Sequence, residues 1–326
     1  MIIHPGKSIG ALKILSKTWF DFSMANDSLS KKVILEVKGG LGNQLFQYAA
    51  ARSLALEIDA DLLIERKLGF LLDRQYRRKF ELNKLPIIFS DCTFSDSYPF
   101  YFDRLLSFAN RRFNNTNKNW NSKSYIFERD FSYIDLSKVN FSEQRYWLSG
   151  YFQDPRYFAF HEEKILSELN PPMPTEDSYL EIAKLADDFT LIALGIRMFE
   201  ESSSPGAHAR NGENKVMEEY KFVLLKLLDS VTNPLILVFT TREFDFLDSL
   251  NLPLETIFIN ADRGFHNAID ILWLLTKCRH HVFNNSTFYW WGATLSKNNY
   301  RDTEQQIYCS NNFLNPEIAY SHWKTF

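Results

Sequence analysis

Two doubly wound α/β units with parallel sheets are the fold class this sequence predicts, and three observations predict it. Apolar, β-branched runs alternate with helix-forming segments in both halves of the chain. A glycine-rich turn, Lys38-Gly39-Gly40-Leu41-Gly42-Asn43-Gln44, joins the first such run to the first helix. Three prolines in four residues, Pro171-Pro172-Met173-Pro174, cannot continue a helix and mark a linker near the middle of 326 residues. The expected parts are an arm over 1–32, a first domain over 33–170 and a second over 171–326, each domain with its own core.

In chain order, the arm carries Ile9, Leu12, Leu15, Trp19 and Phe20 near one helical face. That pattern suits a membrane-surface helix. The plainer reading, an arm outside the fold or sequence ahead of a start at Met24, is preferred. Val33 to Val37 reads as a buried strand. The Ala- and Leu-rich segment behind the glycine turn is a good helix former. Asp61 to Glu65 is a second strand, Arg74 to Lys79 a solvated turn, and Phe80 to Asn83 a short element. A helix is expected near Tyr101 to Phe113, then a polar loop to Lys123, and strands at Tyr125 to Glu128 and Arg145 to Gln153. Past the prolines come a helix at Tyr179 to Ala186, a strand at Thr190 to Ile196 and a helix at Val216 to Leu228. Strands at Pro234 to Thr240, Thr256 to Asn260 and His281 to Asn284 follow, with a helix at Ala268 to Cys278 and an aromatic one after Thr287.

Composition narrows the function. Hydrophobic content of 45% and charged content of 24% are those of a soluble globular protein. A net charge of −3 argues against a nucleic-acid partner, which calls for a basic surface. Aromatic content of 16%, with 29 Phe, suits sugar stacking, although thick α/β cores use Phe as well. Cys92, Cys278 and Cys309 are widely spaced, without zinc spacing, and fit a reducing compartment. No apolar run approaches a membrane span and no signal-peptide pattern opens the chain. A cytoplasmic location is expected, with peripheral attachment to the inner membrane face as the one membrane option.

Strand, glycine turn and helix form the unit that cradles phosphate in nucleotide-binding proteins. The turn lacks the Lys-Ser/Thr of a P-loop, and Leu45 stands at the third glycine of a dinucleotide fingerprint. On pattern alone, a structural βα turn and a ligand site stand level. The whole string GGLGNQLFQYA, however, closely resembles the opening of the α-1,2-fucosyltransferases, glycosyltransferase family 11. So does Asn285-Ser286-Thr287-Phe288-Tyr289-Trp290-Trp291-Gly292-Ala293-Thr294-Leu295, against that family's NSSFSWWGAWL. Leu274 to His281 is similar to its LMSKCKHHI, and Gly150-Tyr151-Phe152-Gln153 with Tyr157-Phe158 to its GYWQSEKYF. The resemblance runs from Val33 to about Ala293.

It implies a GT-B-like fold, two Rossmann-like domains facing a cleft, with the acceptor on the first and GDP-fucose on the second. It also implies residue roles. Where the family has His-x-Arg-Arg-Gly-Asp, this chain has Gly195-Ile196-Arg197-Met198-Phe199-Glu200. Arg197 matches the arginine that contacts the donor diphosphate, while Gly195 replaces the histidine. Glu200 takes the acidic position and is the expected base, with Glu201 next. Gly40, Gly42, Asn43, Asn285, Ser286, Thr287 and Phe288 are the other expected donor-binding residues. Trp290 and Trp291 are read as packing residues. Thr240 and Thr241 cap a helix or meet the nucleotide. Asp59-Ala60-Asp61 has the spacing of a metal-binding Asp-x-Asp but sits at a helix-to-strand handover, where a solvated turn is the simpler reading. His280 and His281 fall on opposite faces of a strand and cannot share an ion. No metal and no cofactor are expected.

The expected activity is inverting transfer of L-fucose from GDP-fucose to the 2-hydroxyl of a galactose unit in an acceptor oligosaccharide, in O-antigen or other surface-glycan synthesis. Two alternatives are a transferase using another GDP-sugar or linkage, and a non-catalytic homologue that only binds a glycan or sugar nucleotide.

Overall fold

β1 (Lys31–Glu36) lies at the middle of the first sheet, because Val33, Ile34 and Leu35 are apolar on both faces and all become buried. The computed structural model describes residues 30–71, 73, 76–97, 124–197, 217–243 and 254–326. β1 pairs in parallel with β2 (Ala60–Glu65) on one side and β5 (Arg145–Ser149) on the other. β3 (Ser90–Asp91) and β4 (Tyr125–Phe127) take the edges, giving the order β3-β2-β1-β5-β4. The second sheet contains β6 (Thr190–Gly195), β7 (Pro234–Phe239), β8 (Thr256–Ile259), β9 (His280–Phe283), β10 (Ile307–Cys309) and β11 (Lys324–Thr325). Its order is β11-β10-β9-β6-β7-β8, again all parallel. Counted within that sheet the strands run 3-2-1-4-5-6, the order of a Rossmann sheet. The expected pair of Rossmann-like units is present.

Seven α-helices lie wholly within the described residues: α1 (Leu41–Glu57), α2 (Leu68–Leu71), α3 (Glu162–Glu168), α4 (Asp177–Lys184), α5 (Met217–Leu228), α6 (Ala268–Leu275) and α7 (Thr287–Ser296). α1 and α7 differ from ordinary surface helices. α7 carries no charged residue, and from Tyr289 to Ser296 every residue is buried. α1 is buried nearly all round, as a helix hydrophobic on every face must be. The two pack on each other between the sheets. Phe46 meets Trp290 at 4.5 Å and Trp291 at 5.0 Å, and Phe158 stacks on Trp291 at 5.6 Å. The separate cores expected for the two halves are therefore one continuous cluster, from Val33 through Trp291 to Trp323. A smaller cluster seals the far face of the second sheet, where Tyr220, Leu224 and Leu227 of α5 cover Ile192 and Ile236.

The strands expected at 33–37, 145–153 and 190–196 each stop sooner, at Glu36, Ser149 and Gly195. The backbone beyond them turns to side-chain partners instead. α3, β3, β10 and β11 were not anticipated. The proline segment lies between α3 and α4 without regular structure. The N-terminal arm up to residue 29, the expected helix at 101–113 and the loop to 123 lie outside the described residues. No helix among the described residues is long and apolar enough to cross a membrane.

The two histidines of β9 face apart, as expected. His280 Nδ1 accepts the Gln306 N–H at 2.9 Å, while His281 Nε2 lies 3.0 Å from the Cys278 carbonyl oxygen. Burial holds both imidazoles neutral, His280 down to about 4 and His281 to about 3. An unfolded histidine titrates near 6.5, so below that pH the unfolded chain binds protons that the fold refuses. Stability is complete above about pH 6.5 and falls as the pH drops towards 4. At pH 5 the loss is about 2 kcal/mol for each histidine. Urea unfolding at pH 7.5 and 5.0 checks this: the midpoint should fall at pH 5.0, by less in His281→Gln. Identical wild-type midpoints would contradict it.

Candidate active site

Ligands of open parallel sheets bind beyond the carboxyl ends of the strands, where the strand order reverses. The reversal lies between β1 and β5 in the first sheet and between β6 and β9 in the second. Both openings border one junction. Asn43 in the first turn of α1 accepts hydrogen bonds from Gln153 Nε2, past the end of β5, at 2.9 Å, and from the Thr287 hydroxyl, at the start of α7, at 3.0 Å. The sequence places Asn43 and Thr287 244 residues apart. Beside them Gly42 lies so close to α7 that an added Cβ would be 2.4 Å from the Phe288 nitrogen and 2.6 Å from the Thr287 carbonyl carbon. Only glycine fits there. The structure thus gives Gly42 a reason the sequence did not show: it admits another helix.

Two buried glutamines make the glycine turn rigid. Gln47 exchanges two bonds with the Lys38 backbone, at 2.9 and 3.0 Å. Gln44 donates to the carbonyls of Gly39 and Lys79 and accepts from the Glu81 N–H. Neither was singled out from sequence, although two amides three residues apart in an otherwise apolar, Ala-rich helix are a signal. Gln44 also brings in the basic segment read as a solvated turn. Arg77 and Lys79 of that segment are exposed, while Arg78 is half-buried and stands over the N-cap of α1, where a Cβ on Gly40 would lie 3.7 Å from its Nε. Its guanidinium also sits 5.1 Å from the Tyr76 ring centroid. α1 has no side-chain cap and no acid in its first turn, so the charge at its start is positive.

On the second sheet Arg197 lies two residues past β6, and its backbone is held on both its N–H and its carbonyl by one side chain. Asn284, fully buried at the end of β9, accepts the Arg197 N–H at 3.2 Å and donates to the Arg197 carbonyl at 2.6 Å. The amide side chain continues the β6–β9 ladder one residue beyond the strands. Asn285 and Ser286 come next, leading into α7, whose N-cap Ser286 makes no side-chain cap bond. Arg197, Asn285 and Ser286 therefore share the second opening. Gly42, Asn43, Thr287 and Phe288 form the wall between the openings, and Gly40 lies in the first. Glu200 and Glu201 are outside the described residues.

Gly195, where the resembled string has histidine, is closely packed. A Cβ on Gly195 would lie 2.6 Å from the ring of Tyr289, whose hydroxyl donates to the Phe239 carbonyl at 2.9 Å. Tyr289 in turn stands where the family string has serine. The Tyr289 ring thus leaves no room for a side chain at the end of β6.

Other expected residues have local partners. Thr240 donates to the Arg242 carbonyl in a turn. Asp59 takes a left-handed conformation, φ +50°, and Asp61 accepts the Ser30 hydroxyl at 2.6 Å. Among the described residues, no group of three or more His, Cys, Asp or Glu is placed to hold a metal ion.

No family model matches the chain. Over 277 residues it is 27% identical to an O-antigen biosynthesis glycosyltransferase of Escherichia coli, WbnK, covering 80% of this chain and 89% of the relative. Over 280 residues it is 26% identical to an α-1,2-colitosyltransferase of the same species, covering 81% and 87%. Both sequence relatives are glycosyltransferases. Solved structures of similar shape include the Bradyrhizobium fucosyltransferase NodZ, at TM-score 0.46, 13% identity and coverage of 81% and 92%. Arabidopsis thaliana FUT1 with GDP is similar at TM-score 0.44, 16% identity and coverage of 85% and 70%.

The junction can be tested through Gly42. Alanine favours a helix interior by about 1 kcal/mol over glycine. An approach of 2.4 Å to backbone, which cannot swing aside, puts the overpacking cost at the upper end of about 1–3 kcal/mol and leaves a net loss of about 2 kcal/mol. Gly42→Ala should therefore lower the melting temperature by several degrees. An unchanged or raised value in a thermal scan would show that the helices separate freely at this point.

Proposed function

We propose that the chain is a glycosyltransferase that moves L-fucose from GDP-fucose to the 2-hydroxyl of a galactose unit, in O-antigen or related surface-glycan synthesis. The observation that carries the proposal is the two-bond clamp of Asn284 on Arg197, beside the uncapped start of α7. The clamp fixes the Arg197 backbone at a Rossmann reversal point, and an arginine anchored there can offer a fork of donors to a diphosphate. Asn285 and Ser286 supply further polar groups at a positive helix end. Likeness over four-fifths of the chain to two glycosyltransferases supports the class, and the first of them names O-antigen synthesis.

The chemistry follows from where charge grows. As the anomeric C–O bond breaks, the sugar becomes cationic and the departing diphosphate gains negative charge. One preorganised donor aimed at such charge is worth about 3–4 kcal/mol. Arg197, the Asn285–Ser286 turn and the positive surroundings of Gly40 are the groups assigned to it. Asn43, Thr287, Gly42 and Phe288 hold the two openings at fixed separation, so acceptor and donor meet without a search. GDP-fucose is a substrate, and neither metal nor cofactor has a part in the scheme.

A second reading, another GDP-sugar as donor, has one observation in its favour. Tyr289 packs against Gly195, the position where the fucosyltransferase string has histidine, and excludes a side chain there. A changed residue beside the donor opening changes what the sugar meets, and one relative is a colitosyltransferase by name.

One assay tests the reading. Wild-type protein is given GDP-fucose and a panel of β-galactosides, with competing GDP-sugars in parallel and product linkage determined. Transfer should persist in EDTA, and Arg197→Ala should lower it at least about 100-fold while the protein still melts cooperatively. Near-normal turnover by Arg197→Ala would leave that arginine a structural residue only. Preference for another GDP-sugar would select the second reading, and strict dependence on manganese would return Asp59 and Asp61 to the site.

A further inference from the structure

The first opening contains a carboxylate that the donor chemistry does not use. Glu128 follows β4, and its Oε2 accepts two backbone N–H groups, from Tyr151 at 2.6 Å and Phe152 at 2.7 Å. Its Oε1 takes no hydrogen bond among the described residues. The neighbouring carboxylates differ. Glu36 is buried and accepts the Ser149 hydroxyl. Asp73 holds the N–H groups of Tyr76 and Arg78, one on each oxygen. Asp154 is bound on both oxygens by Arg156 and also by Asn315. Glu128 is thus fixed by one oxygen, with the other available for a proton.

The backbone that fixes it is strained. Phe152 is buried with φ +51°, a conformation that costs a side-chain-bearing residue roughly 1–3 kcal/mol and that persists only where the surroundings impose it. In this conformation the N–H groups of Tyr151 and Phe152 converge on one carboxylate oxygen. One residue later, Gln153 binds Asn43 at the junction with α7. The strained turn therefore places Glu128 at the carboxyl end of the first sheet, beside the contact through which the second sheet's opening is reached.

Resting on the glycosyltransferase reading above, we infer that Glu128 is the general base that takes the proton of the acceptor hydroxyl. The acceptor O–H proton passes to Oε1 as the acceptor oxygen bonds to the anomeric carbon of the donor sugar. The bond from that carbon to the diphosphate oxygen breaks, and its electron pair leaves with GDP. Inversion at the anomeric carbon follows from attack opposite the leaving group. Glu128 contributes from the first unit and Arg197 from the second, so the site is complete only across the junction.

The electrostatics agree. Burial raises the Glu128 carboxyl above the usual range, against the lowering effect of the two N–H groups and of Lys38, with Asp154 raising it further. Among the described residues, Tyr151 and Tyr157 are the other titratable groups that face it. A base raised in this way is better matched to a hydroxyl proton than an ordinary glutamate.

The test compares wild type, Glu128→Gln, Glu128→Asp and Glu200→Gln, with GDP-fucose and lactose or methyl β-galactoside. The glutamine amide oxygen can still accept both N–H groups, so the turn is kept. Glu128→Gln should bind GDP with wild-type affinity by calorimetry yet lose at least about 100-fold in kcat, the range for a lost general base. The acid limb of the wild-type pH profile should be absent from its residual rate and displaced in Glu128→Asp. A wild type that transfers while Glu128→Gln stays within threefold of it overturns the assignment of Glu128. So does loss of the acid limb in Glu200→Gln but not in Glu128→Gln. If Glu128→Gln fails to fold, the Glu128→Asp profile decides, and an unmoved limb overturns the assignment. A wild type that neither binds GDP nor transfers overturns the reading beneath it instead.

Discussion

The contact of Gly42 with the backbone of Thr287 and Phe288 is the constraint on which the rest of this structure depends. Two Rossmann-like sheets can be arranged in many ways. Here the first turns of α1 and α7 touch, and that fixes which ends of the sheets share a space. The energetics divide between two kinds of contact. Each tryptophan of α7 removes roughly 200 Å² from water, worth about 5 kcal/mol at about 25 cal/mol per Å², so the ring cluster with Phe46 and Phe158 dominates adhesion. The Asn43 bonds are worth about 1 kcal/mol each and set the register rather than the strength. Apolar burial brings the units together. A glycine and an asparagine decide how closely.

From that contact the loops on either side acquire their shapes. Three of the four strands that border a reversal point, β1, β5 and β6, pass backbone groups just beyond their ends to a side chain: Gln47 for Lys38, Glu128 for Tyr151 and Phe152, Asn284 for Arg197. Side chains serving as extra strand bonds hold these loops in single conformations. Preorganised donors and acceptors of that kind suit a reaction in which charge moves and water must not rearrange. The Gly195–Tyr289 contact belongs to the same logic, since a strand end packed this closely has no room for a side chain.

Much of the fold was legible in the sequence because it depends on short-range periodicity. The apolar runs at Val33, Thr190 and Pro234 and the helix-forming segments between them emerged within a few residues of expectation. β10 and β11, three and two residues long, have no period to read and exist because β9 and Cys309 present edges to them. The site was half legible. Arg197 and the Asn285–Ser286 turn could be picked out because their neighbours spell a known string. Gly42 was noticed as a glycine that lets the backbone approach an anion, while its close approach to α7, more than 240 residues away, had no local signal. Arg78, Asn284 and Glu128 were passed over as a turn residue, a strand end and a strand end. Their roles arise from backbone groups far along the chain, which no local pattern encodes.

The central claim is that the diphosphate of an activated sugar lies at the β6–β9 opening. A crystal structure of the protein with GDP tests it most directly. The account predicts both phosphates within hydrogen-bond distance of Arg197 and of the Asn285–Ser286 turn, with the first opening left for the acceptor. GDP bound beyond the first sheet, or remote from Arg197, would contradict it.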